Sequence, residues 1–164
     1  MPSKYSKLRT RNAKLSQAFT LVELMIVVSI LGILAAIVLP EFQNHQKMAK
    51  ETQAKANLKL LREAIERYAL DFGIPPGYPD NDSTQTPNYL LVFSQLTVVN
   101  KYLSKLPKNP FNDKMTFYVF LNNETITEGA EINPAYGWLY HPATKTIKIN
   151  WSGTDSEGKN YFDY

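Results

Sequence analysis

From Phe19 to Pro40 the chain reads FTLVELMIVVSILGILAAIVLP, an apolar run in which Glu23 is the single charged residue. About 20 such residues in a helix cross the roughly 30 Å of hydrocarbon in a bilayer, so residues 19–40 are predicted to span a membrane. Beyond Pro40 the pattern turns polar without losing helical character. Residues 41–72 contain neither Gly nor Pro and are rich in Ala, Leu, Lys, Glu and Gln, all good helix formers. Leu58, Leu61, Ile65, Tyr68 and Phe72 recur at intervals of three and four and so share one face, while Lys59, Arg62, Glu63 and Glu66 take the other. One helix from Phe19 to Phe72 is predicted, apolar all round in its first half and amphipathic in its second. Pro40 removes a main-chain hydrogen bond and predicts a kink or local loosening there.

Gly73-Ile-Pro-Pro-Gly-Tyr-Pro ends this helix, and the apolar stripe before it still requires a partner. Asn88 to Leu103 carries Leu90, Leu91, Phe93, Leu96, Val99, Tyr102 and Leu103 at spacings that fit a helix better than a strand. Met115–Leu121, Tyr136–Tyr140 and Thr144–Trp151 are short, β-branched and aromatic, and bounded by Gly, Pro and Asn, which predicts strands. Three antiparallel strands laid on the helical stripe give an α+β fold, with residues 73–164 as its globular part.

Charge changes the reading of the amino terminus. Lys4, Lys7, Arg9, Arg11 and Lys14 precede the apolar run with no acidic residue among them, which places that end in the cytoplasm. A secretory signal would carry its small-residue cleavage site after the apolar core. Here the small residue, Ala18, lies before it. A cut is therefore expected at Ala18–Phe19, removing residues 1–18 and leaving the spanning helix attached. The 18 basic residues then fall to 13 against 15 acidic, near −2 rather than +3, and nucleic-acid binding loses its electrostatic argument.

Ala18-Phe19-Thr20-Leu21-Val22-Glu23 resembles the processing site of type IV prepilins and type II secretion pseudopilins. The resemblance implies a pilin-like fold, cleavage by a prepilin peptidase between Ala18 and Phe19, N-methylation of Phe19, and a requirement for Glu23 in assembly. Gly32 and Pro40 fall where the family has a Gly and a helix-kinking Pro. Ala18 departs from the usual Gly before the cut. The new amine at Phe19 would lie one helical turn from Glu23, so the two can pair within a chain or between neighbours, and a low-dielectric bundle strengthens that attraction. The partners implied are further copies of the chain, minor pseudopilins or pilins, the peptidase, an inner-membrane assembly platform, and lipid before assembly.

The chain has no cysteine and only two histidines, His45 and His141, and it holds no nucleophile elbow, phosphate loop or zinc helix. A catalytic role is not expected. Without disulfides, an exported domain must be held by its core, a bound ion or its neighbours. The tail from Trp151 to Tyr164 gathers oxygen-bearing side chains around Gly153 and Gly158. Calcium takes six to eight oxygen ligands, and Asp155, Glu157 and Asp163 are the candidate carboxylates. The resemblance points the same way, since major secretion pseudopilins bind calcium in their last loop; a solvated polar turn is the alternative.

The expected protein is thus a single-pass inner-membrane subunit with a periplasmic carboxy-terminal part, assembling into a helical filament. A major-type pseudopilin of a type II secretion system is the leading expectation. A surface pilin for adhesion, twitching or DNA uptake is the alternative, and a signal-anchored domain that never polymerises is a third.

Overall fold

The computed structural model describes residues 19–99, 102–126 and 135–164. The chain divides into two compact units, residues 1–41 and 42–164. Helix α1, Leu21–Phe72, is continuous through Pro40 and matches the predicted helix to within two residues at its start. In the first unit it buries nothing. Every large apolar side chain from Leu21 to Leu39 is exposed, as is Phe19. Such a surface belongs in lipid or against other apolar helices rather than in water.

In the second unit α1 is amphipathic, as predicted. Leu58, Leu61, Ile65 and Tyr68 are buried, joined by Ala54 and Ala64. Each fully buried Leu or Ile contributes about 1.5–3 kcal/mol relative to an exposed one. Phe72, the last predicted member of the stripe, is instead 42% exposed and leans on Tyr68 with ring centroids 4.6 Å apart. The helix ends at Gly73, whose φ of 72° is a left-handed conformation that costs glycine little.

The second helical segment is shorter than the Asn88–Leu103 expectation. Helix α2 covers Tyr89–Phe93, with the Asn88 side chain accepting from Leu91 N at 3.0 Å, and passes into a wider π-type stretch over Ser94–Val99. Val92 and Leu96 enter the core, whereas Leu90 and Val99 are exposed.

The three strands are β1 Phe117–Val119, β2 Trp138–His141 and β3 Thr146–Ile149, in the order β1-β2-β3. The all-antiparallel expectation is corrected here, because the sheet is mixed. β2 and β3 are antiparallel, with Trp138 opposite Ile149, but β1 and β2 run parallel, with Phe117 beside Trp138. The reason lies in the connections. A tight turn at Pro142–Lys145 reverses the chain between β2 and β3, whereas the stretch from Phe120 to Gly137 is long enough to carry it back to the same end of the sheet. All four residues of β2 are buried, which suits a central strand. Phe117, Trp138, Tyr140, Ile147 and Ile149 form one core with the α1 stripe.

The loop before β1 is pinned from three directions. Asn57 of α1 donates to Lys108 O at 2.8 Å, and Trp138 Nε1 donates to Pro107 O at 3.0 Å. Asn109, fully buried, donates through Nδ2 to Gly137 O at 2.8 Å and accepts at Oδ1 from Phe111 N at 2.9 Å. Gly137 sits so close to this loop that a Cβ there would lie 2.2 Å from Lys114 O.

Candidate assembly site and tail clamp

The start of α1 is built by two side chains. The Thr20 amide and hydroxyl both donate to Glu23 Oε2 at 2.9 Å, and Glu23 N donates to Thr20 Oγ1 at 3.1 Å. This is a reciprocal capping box, in which a Thr at the cap and a Glu three residues on satisfy main-chain donors that the first helical turn leaves open. The sequence reading gave Glu23 an amine as its partner. The structure gives it Thr20 as well, so the carboxylate has a use inside its own helix. It also fixes that carboxylate beside Phe19, on a helix surface exposed throughout.

A second constellation joins the middle of α1 to the tail. Glu51 continues the buried stripe at the spacing of Ala54, Leu58 and Leu61, yet it is a carboxylate and only 4% exposed. Its oxygens accept from Ser156 N at 3.0 Å, Ser156 Oγ at 2.7 Å and Tyr161 Oη at 3.0 Å, with Lys47 Nζ at 3.9 Å. Buried acids require such partners, because an uncompensated charge out of water is costly.

One turn along, Lys55 faces the tail loop. This loop closes by a bridge between Thr154 and Asn160, with Gly153 and Gly158 at positive φ. Asp155, also 4% exposed, points into it. Its Oδ1 accepts from Glu157 N at 2.9 Å and Lys159 N at 2.8 Å, and its Oδ2 accepts from Tyr164 Oη at 2.7 Å with Lys55 Nζ at 3.6 Å. Burial alone would raise the Asp155 carboxyl, but these hydrogen bonds and the Lys55 charge outweigh it and bring its pKa to about 2. Burial and donation to Glu51 push the Tyr161 phenol up to about 12. Burial and donation to Asp155 raise Tyr164 likewise. Farther along α1, Arg62 Nη2 donates to the main-chain oxygens of Ile147 and Tyr164.

Comparison with known proteins decides what the helix belongs to. Residues 14–39 match the family described as the prokaryotic N-terminal methylation motif. The chain is 41% identical over 103 residues to the type II secretion system core protein G of Pseudomonas aeruginosa, a match covering 58% of this chain and 68% of that protein. It belongs to the type IV prepilin-like family. Other prepilin-like relatives include the type IV major pilin protein PilA of Myxococcus xanthus, 51% identical over 53 residues, covering 32% of this chain and 24% of that one. The type IV major pilin protein PilE of Neisseria gonorrhoeae is 36% identical over 92 residues, covering 56% of this chain and 50% of that one. Half or less of each of these two pilins is thus spanned. By their names these relatives are structural subunits rather than enzymes. No solved structure matches.

Within this prepilin-like chain the expected site residues fall apart into separate places. Ala18 and the basic leader lie outside the described residues. Phe19 and Glu23 lie together at the start of α1, and Pro40 lies within it. Asp155, Glu157 and Asp163 do not converge. Glu157 and Asp163 are exposed, and Glu157 serves Asp155 through its main-chain N–H. No group of three or more His, Cys, Asp or Glu side chains among the described residues is placed to hold a metal. Both oxygens of Asp155 face donors and an ammonium group. Sequence reasoning missed Glu51, Lys55 and Asn109, although Glu51 carried a signal as a charged residue in register with the apolar stripe.

Proposed function

We propose that this chain is the major-type pseudopilin of a type II protein secretion system, a structural subunit that polymerises into a short filament. The observation that carries this reading is the match to a secretion core protein over more than two thirds of that protein's length. In this reading residues 1–18 are the leader, removed by a prepilin peptidase at Ala18–Phe19, and Phe19 becomes the N-methylated first residue. Residues 19–40 anchor the subunit in the inner membrane, with the leader end cytoplasmic and residues 73–164 periplasmic. Assembly draws the apolar half of α1 out of lipid and into a bundle of like helices, driven by packing and by pairing of charges at Glu23. Pro40, which removes one main-chain hydrogen bond from α1, stands at the boundary of the anchored and the amphipathic halves. The filament's partners are minor pseudopilins and the inner-membrane assembly platform.

A type IV pilin of a surface pilus is the second reading, favoured by the 51% identity to a major pilin over 53 residues. Deleting the gene in its host separates the two. Loss of folded proteins from the culture supernatant, with surface filaments intact, supports the secretion subunit. Normal secretion with loss of surface filaments or twitching supports the pilin.

A further inference from the structure

We propose that the Lys55 ammonium is the resident cation of the tail loop, and that this chain closes that loop without a divalent metal. Lys55 stands one helical turn beyond Glu51, on the side of α1 that meets the tail. Its Nζ lies 3.6 Å from Asp155 Oδ2 and 4.5 Å from the centroid of the Tyr164 ring. The phenol of that same ring donates to Asp155 Oδ2. Ammonium, ring and carboxylate thus form a closed triangle, in which one cation serves a buried acid and the face of an aromatic ring.

The side chain of Asp155 has no exposed surface, whereas that of Lys55 is 49% exposed. The cation therefore keeps much of its hydration while neutralising an acid that has lost its own, which lowers the cost of burying the pair. The other oxygen of Asp155 is taken by the loop's own N–H groups. A calcium ion would need six to eight oxygens, and the neighbouring acid Glu51 is already bound to Ser156 and Tyr161. To reach Asp155 it would have to displace both the ammonium and the phenol.

Thermal unfolding of the full-length chain in detergent, with millimolar calcium and with chelator, tests this. The wild type is expected to melt at the same temperature in both, since only a ligand that binds the folded state raises it. Lys55→Met, which keeps the length of the side chain but not the charge, should melt several degrees lower. Lys55→Arg, which keeps the charge, should recover most of the loss. A wild-type melting temperature that rises with calcium would overturn the proposal, and so would a Lys55→Met variant that melts with the wild type.

Discussion

Glu23 Oε2 accepts two bonds from Thr20, at 2.9 Å from its amide and 2.9 Å from its hydroxyl. The carboxylate is thereby held at the mouth of an apolar helix, and its negative charge sits where the helix dipole favours it. Capping and charge are separable properties. Gln can occupy the third position of a capping box, whereas Ala cannot.

Assembly is expected to follow the charge. Glu23→Ala and Glu23→Gln should both insert into the membrane and both be cleaved, yet neither should yield filaments. Shearing followed by electron microscopy, with an immunoblot of the membrane fraction as control, measures this. Filaments from Glu23→Gln but not from Glu23→Ala would mean that the capping box, rather than the charge, is what assembly requires.

The clamp on Glu51 makes a prediction about stability. Glu51→Ala leaves the buried Tyr161 Oη without its acceptor, at about 1–3 kcal/mol, and also removes the two bonds that tie the exposed Ser156 to α1. Tyr161→Phe removes only one bond to a charged group, about 1.5–3 kcal/mol. Denaturant titration of the full-length chain should rank wild type above Tyr161→Phe, and Tyr161→Phe above Glu51→Ala. Equal stability of all three would mean that the tail does not depend on this acid.

Asp155 gives the tail a pH dependence of definite sign. Its carboxyl is lowered from 3.8 to about 2 in the folded chain, so the stabilisation it confers is fully present above about pH 4. It is lost as the pH falls from about 4 towards 2, because the unfolded chain then binds the proton more readily. Unfolding midpoints measured from pH 5 to pH 2 should fall steeply in that window, and Asp155→Asn should flatten the fall. An unchanged slope in the variant would place the acid sensitivity elsewhere.

The long helix was legible because its apolar run and its stripe obey simple periods, and nothing between Pro40 and Gly73 competes with helix formation. The capping box was legible too, as Thr20-x-x-Glu23, the spacing that lets a Thr and a Glu satisfy each other's main-chain donors. Strand positions followed from β-branched and aromatic residues. Strand direction did not, because alternation along a strand defines its faces and carries no information about which neighbour it pairs with. The role of Asn109 was hidden for a similar reason, since its hydrogen bonds reach Gly137 and Asn150, far along the chain. The tail shows the limit of composition. Its acidic residues were visible as potential ligands, while the lysine that answers Asp155 sits on a helix distant in sequence.

Intact-mass measurement of the protein extracted from membranes decides whether this prepilin-like chain is cut ahead of its spanning helix. In cells with an active prepilin peptidase, the expected mass lacks residues 1–18 and carries one added methyl group on Phe19. A full-length chain in such cells, or a cut beyond Leu39 that releases the carboxy-terminal part from its helix, would contradict it.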